Sequence, residues 1–568
     1  MESNRGNKVG SWWLPLFLSL LCFMIPGHAA YSHSEGKHGF SDETILREKG
    51  KVPLVKGLYS LDYFVTTKSD MARAYFNQGL VLTYGFDHAD AEVSFLEAAK
   101  LDPECAMCYW GAAFVLGPNI NAPMDNEAVP KAYEYSRKAL ALMDKASDRE
   151  QALIQALAKR YGQEPVTDRS SLDRRFADAM REVCSRYPED PTIAVLYAEA
   201  LMDLHPWDYW TVDGKPQAWT PAIESILVKV MADHPRHPHA HHLYIHLLEN
   251  SPFPEKTVRS ADRIKDLVPA SGHLVHMAGH AYYAAGLYHD CSEINERALE
   301  VDKLLTSSFH TQGFYQLAYV PHVLHFLLAS YIMEGRSEDA LRAARTLAGS
   351  VDPSKMRQPG MGFLQHYYVA PYTTLVRFRL WEDILNESSP GEDLLYPRAM
   401  WHYARGMAFA RMERIEEAKG ELPMLKIIAG KPELETVTVW DLNKVSSLLD
   451  IAVAVLAGEI SASQGEYDAA IAHLEQGIAL EEALTYDEPP PWYFPVRQSL
   501  GAVLLAAGRP AKAESVYRTD LKKNSENPWS LHGLAVSLRA QGKTDLAMDA
   551  EQRFRRAWAR ADREMHLP

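Results

Sequence analysis

The chain has 568 residues, with 59 Lys or Arg against 74 Asp or Glu and a net charge of −15 at neutral pH. That length exceeds one ordinary compact core, although stacked repeats escape the limit because each unit packs only on its neighbours. An acidic balance without a basic tract argues against nucleic acid or an anionic membrane surface as partner, and five cysteines are too few for a disulfide-held scaffold.

The chain opens as a secretory leader does, with Arg5 and Lys8, an apolar run from Trp12 to Ile25, and the small-residue exit Gly27-His28-Ala29. Cleavage is expected near Ala29 or Ala30, which sends the mature chain to a periplasmic or extracellular space. Cys22 follows Leu21, a residue too large for the usual lipidation site. No later stretch reads as a transmembrane segment. The expected division is a signal peptide over 1–30, a lead-in over 31–65, a solenoid over 66–350, an irregular insertion over 351–397, and further repeats over 398–568.

The clearest repeat runs from Tyr75 to Pro103. Gly79, Ala91, Phe95, Ala98 and Pro103 fill the small, small, aromatic, small and proline positions of a tetratricopeptide repeat, where small residues let two antiparallel helices approach. Gly501, Gly508, Ala513 and Tyr517, then Ala535, Gly542 and Ala547, mark a later pair. The fold class expected is therefore all-α, a right-handed solenoid of stacked helical hairpins. Loop-like spans at 118–126, 205–221 and 350–397 are candidate lids, and 487–492 reads as a rigid connector.

Between these landmarks, His239, His242 and His246 recur 34 residues later as His273, His276 and His280, and His322 with His325 repeats the first spacing. Positions i, i+3 and i+7 share one helix face, so each trio forms a stripe and stacking lays the stripes side by side. The repeat register places all eight on the first helices, facing the concave groove. Imidazoles without thiolate or carboxylate among them suit copper or zinc, with copper favoured, and eight exceed one coordination sphere. The rival reading is a polar groove that binds a peptide or protein. His234, His237 and His241 are read as incidental, and Tyr283, Tyr319 and Glu249 as candidate supports for the ligands. His88, Asp87, Asn119 and Asn121 are expected to border the groove at most.

Cys105 and Cys108 form a C-x-x-C that is not followed by His, which excludes covalent haem of the c type. A local disulfide and a soft-metal site are weighed equally. No nucleophile elbow, H-E-x-x-H, phosphate loop or dinucleotide fingerprint occurs.

The strings DPECAMCYWGAAFVLGPNINAPM (102–124), SGHLVHMAGHAYYAAGLYHD (271–290) and PPPWYFPVRQSLGAVLLAAGRPAKAE (489–514) resemble a family of exported bacterial tetratricopeptide proteins. The likeness covers nearly the whole mature chain and implies the helical solenoid and the histidine pattern, but brings no activity with it. Ala278-Gly279 departs from the proline and small residue associated with that family. The expected function is a secreted metal-binding protein, with a copper-dependent oxidoreductase as its catalytic form, and the alternative is a scaffold that holds a partner in its groove.

Overall fold

The computed structural model describes residues 45–46, 51–58, 63–211, 213–309 and 313–567. The leader and the expected cleavage site lie outside the described residues. Residues 40–568 form one compact unit, an all-α repeat fold of helical hairpins stacked in chain order. Strands among the described residues are confined to two short antiparallel pairs, Ile45–Leu46 with Leu54–Val55 and Thr438–Val439 with Asn443–Lys444.

The small residues of the repeat pattern have a direct steric cause. Helix His88–Leu101 sends Phe95 between Gly79 of helix Asp70–Tyr84 and Gly111 of helix Ala106–Phe114. A Cβ at either glycine would lie 2.9 Å and 2.4 Å from the Phe95 ring. The same device recurs near the other end, where Tyr517 of helix Pro510–Lys523 sits between Gly501 and Gly533, 2.3 Å and 2.1 Å from their built Cβ atoms. Gly533→Ala should therefore overpack the C-terminal hairpins and destabilise them by about 1–3 kcal/mol. A urea midpoint unchanged from the parent would count against this reading.

Several hairpin turns contain one residue with positive φ. Gly286, Gly335, Gly465, Gly508 and Gly542 supply it with φ between 69° and 78°, because glycine has no Cβ to clash there. Three hairpins place another residue there, Phe86 at φ 56° in the first and Arg379 at 58° and Glu413 at 61° in later ones, and the Asp87 N–H to Leu82 O bond that closes the first matches Leu380 N–H to Leu375 O and Arg414 N–H to Phe409 O. A bulky side chain in this conformation is strained, and the Phe86 ring is buried.

Two of the expected readings change, and a third, left open between a disulfide and a metal site, is decided. Residues 350–397 are largely helical, with Gly362–Tyr368, Ala370–Arg377 and Trp381–Asn386 packed into the C-terminal core rather than over a cavity. Helix Val445–Ser463 is long and apolar enough to cross a membrane by length and composition, with hydropathy 1.7, although none was expected. Within the fold 78% of it is buried, and it packs against helices Leu395–Arg411 and Tyr467–Glu482. Finally, Cys105 and Cys108 are joined as a disulfide, which removes them as metal ligands.

Helix Tyr288–Phe309 positions the central histidine helix Gly272–Ala284 at two points. Near its end Asp302 lies against Gly272, where a Cβ would sit 1.8 Å from the Asp302 Oδ1. Asp302 is buried, accepts a 2.8 Å hydrogen bond from the Tyr315 hydroxyl, and is pushed by burial up to a pKa of about 7. The folded chain thus keeps a proton that the unfolded chain releases above pH about 4, so this stability is present below pH about 4 and lost as pH rises towards 7. Asp302→Asn should flatten that part of the profile, by up to on the order of 4 kcal/mol, and melt above the parent at pH 8. Parallel profiles for the two proteins would refute the assignment.

Candidate metal centre

The histidines come from three helices that stack side by side. Pro238–Leu248 carries His239, His242 and His246; Gly272–Ala284 carries His273, His276 and His280; Val320–Glu334 carries His322 and His325. Stacking brings six of the eight into two clusters, His242 with His246 and His273, and His276 with His280 and His322, and within each the ligand nitrogens lie within 4.8 Å of one another. The clusters adjoin, for the His246 and His280 rings are 5.6 Å apart and the His273 and His276 rings 5.9 Å.

His239 and His325 stand outside both. His239 stacks on Tyr84 at 4.3 Å and faces Glu199 at 3.2 Å, while His325 packs among His366, Tyr367 and Tyr493. Each sits at an end of its stripe, where the helix turns its face to another neighbour. His237 and His241 are occupied locally, His237 capping its helix at Ala240 N and His241 bonding Ser260 and the Pro235 carbonyl.

The tautomers in the second cluster can be read from their partners. Asn295 Nδ2 donates to the Cys291 carbonyl, which leaves its Oδ1 to accept from His276 Nδ1 at 2.5 Å. Gly279 makes this possible, since a Cβ there would meet Asn295 Nδ2 at 2.7 Å. His280 Nδ1 donates to Glu249 Oε2 at 2.8 Å and also to Glu488. Both rings therefore carry a proton on Nδ1, and their Nε2 atoms face each other at 2.9 Å, with His322 Nε2 3.3 Å from that of His280. Glu249 and Glu488 favour the doubly protonated form of His280, whose Nε2–H then donates to His276 Nε2, whereas a cation in place of that proton would meet all three nitrogens. Ligands of a tetrahedral ion at roughly 2.0–2.1 Å stand roughly 3.3 Å apart, which fits the spacing here.

In the first cluster only His246 has its tautomer fixed by a partner. His246 Nδ1 donates to Glu249 Oε1 at 2.9 Å, and its Nε2 has no hydrogen-bond partner among the described residues. His242 and His273 approach through Nε2 at 3.2 Å, and Phe86 covers the group, 4.7 Å from His242 and 5.2 Å from His273. One buried carboxylate, Glu249, therefore orients one ligand of each cluster, a recurrent support of metal-bound histidine.

Burial, reinforced by neighbouring imidazoles, holds His242, His273, His276 and His322 well below the usual histidine range, so they are neutral and able to ligate. Burial likewise opposes the charge on His280, but Glu249 and Glu488 outweigh it and raise its pKa to about 10. The Glu249 carboxyl, which burial alone would raise, is held below the carboxylate range by His246 and His280. Burial, with Glu249 nearby, pushes Glu488 up to about 8.

The clusters form the floor of a cavity of about 810 Å³, onto which His246, His273, His280 and His322 open. Its walls come from the 118–124 and 203–207 loops, the 440–442 turn and residues 486–488. Asn119 and Asn121 thus border it, as do two of the expected lids, whereas 350–397 contributes nothing. Glu488 is contributed by a segment that sequence read as a mere connector and Tyr486 stands just before it, and Asn295, Phe86 and Trp440 carry no sequence signal of their role. Of the supports expected, Glu249 and Tyr319 touch the site, Tyr319 at 5.1 Å from His273, while Tyr283 packs on Tyr288 and Phe326 instead.

No protein-family model matches the chain, and no curated protein matches it. Among solved structures it is similar to the APC/C hetero-tetramer Cut9-Hcn1, at 14% identity over 87% of this chain and 78% of that one, with a TM-score of 0.30. It is also similar to the human IFIT1 dimer with m7Gppp-AAAA, at 13% identity, 87% and 91% coverage and a TM-score of 0.29. The human IFIT1 dimer with PPP-AAAA gives 13%, 84% and 94%, and 0.31.

Proposed function

We propose that this chain is an exported metalloprotein that binds two transition-metal ions, copper in preference to zinc, one in each histidine cluster, and acts as a copper-dependent oxidoreductase. The observation that carries the reading is the meeting of three Nε2 atoms in the second cluster, with the Nδ1 sides of His276 and His280 already committed to Asn295 and to Glu249 with Glu488. An ion there supplies the positive charge that Glu249 and Glu488 favour. Three protein ligands leave a coordination position exchangeable, as catalysis requires and storage does not. The cavity gives that position access to a small molecule.

The test is metal content after loading with copper and exhaustive dialysis. Two equivalents per chain support the proposal, and none retained would end it. The export part is tested separately by N-terminal sequencing of the protein from its producing cells, where a start near Ala30 is expected and an intact Met1 would refute it. A protein-binding role for the repeat scaffold is a second reading, supported by exposed apolar side chains on its helices, such as Ile427 at 61% exposure.

A further inference from the structure

The residues above the two clusters bear on what the cavity accepts. Trp207 stands edge-on to His246 with ring centroids 5.3 Å apart and an interplanar angle of 86°, Tyr319 edge-on to His273 at 5.1 Å and 82°, and Trp440 edge-on to His322 at 6.5 Å and 88°. Phe314 links Tyr319 to Trp440 at 6.0 Å and 6.5 Å, and Tyr486 lies 6.5 Å from Trp207. These five rings are the aromatic wall of the cavity. Phe314 remains 43% exposed, so one large apolar face is left uncovered within it.

A second observation is independent of the cavity. Seven described residues other than glycine have positive φ, and two of them are Trp207 at 61° and Trp440 at 55°. Bulky residues adopt this conformation only at a cost on the order of 1 kcal/mol or more; Trp440 shares it with Asp441, at 57°, in the turn that joins the two short strands and carries the indole to the cavity. Both tryptophans are aimed over a histidine cluster. The charged side chains around the cavity, Asp168, Asp173, Asp203, Asp487 and Glu488 against Arg169 and Arg174, add no excess positive charge to that of the two ions.

We infer that the substrate is a neutral, multi-ring aromatic ortho-diphenol, held between Trp207 and Trp440 with its adjacent hydroxyls over the two clusters. This rests on the two-metal reading above. Planar rings match the aromatic wall, and a cavity of this volume suits a ligand larger than a single ring. Two adjacent metal positions match two adjacent oxygens. In the reaction the diphenol gives up two hydroxyl protons to water and two electrons to two copper(II) ions, its two C–O single bonds become C=O bonds, and the ions become copper(I). Dioxygen reoxidises the pair, so that two diphenols and one dioxygen yield two ortho-quinones and two waters.

Binding is measured by calorimetry on the protein loaded with zinc, which is redox-inert, using 3,4-dihydroxybiphenyl, catechol and cyclohexane-1,2-diol. The biphenyl should bind at least about tenfold tighter than catechol, and the aliphatic diol not at all. Trp207→Ala and Trp440→Ala should each weaken the biphenyl about tenfold while both ions and the helical circular dichroism are retained. Copper-loaded protein under dinitrogen should then form one quinone per two coppers. If two ions bind but the aliphatic diol binds as tightly, or neither tryptophan matters, the substrate inference is overturned and the metal reading stands. Failure to hold two ions would overturn both.

Discussion

Replacing Glu249 by Gln should weaken both metal positions together, by about 10–100-fold each, in a chelator-competition titration. The carboxylate is buried and accepts from His246 Nδ1 through one oxygen and from His280 Nδ1 through the other. A glutamine has one acceptor oxygen and an NH₂ that can only donate, so one of the two imidazoles loses its orienting partner and meets a competing donor. The negative charge that raises the basicity of both ligands is lost as well. Glu199→Gln is the matched control, because Glu199 is a buried carboxylate beside a histidine that belongs to neither cluster. Affinity in the control should stay at the parent value. Equal affinities in Glu249→Gln and the parent would show that the carboxylate does not link the two positions.

The pair His242→Ala and His276→Ala should reduce metal content from two ions to none, leaving helical circular dichroism largely unchanged. Each substitution leaves two ligands in its cluster, too few to hold an ion against dialysis. The contrasting pair His239→Ala and His325→Ala should retain both ions, since one ring is taken by Tyr84 and Glu199 and the other packs among His366, Tyr367 and Tyr493. Sequence spacing treats all eight histidines alike, so the contrast between the two pairs tests the three-dimensional assignment rather than the motif.

The helical hairpins were legible in the sequence because their cause is local and steric. Gly79, Gly111, Gly501 and Gly533 are required wherever Phe95 or Tyr517 must insert, and that requirement leaves a spacing that can be counted. The stripes of the histidine helices were legible for the same reason, as helical period and repeat period are both properties of the chain. What spacing could not reveal is where a stripe ends. His239 and His325 obey the pattern yet turn towards other neighbours, and only packing decides that. Nor could it reveal partners that arrive from far along the chain: Glu488 reaches His280 across 208 residues, from a proline-rich segment with no mark of function. Asn295 is visible only once Gly279 is known to face it. Phe86 stands where five later hairpins have glycine, but Arg379 and Glu413 do the same in two others, so comparison of the repeats does not single it out.

The most direct measurement is anomalous diffraction at the copper edge from crystals of the copper-loaded protein. Two peaks are predicted, one bounded by His242, His246 and His273 and the other by His276, His280 and His322, with Glu249 between them and bound to neither ion. A single peak, peaks at His239 or His325, or no ordered copper within the histidine clusters would contradict the account.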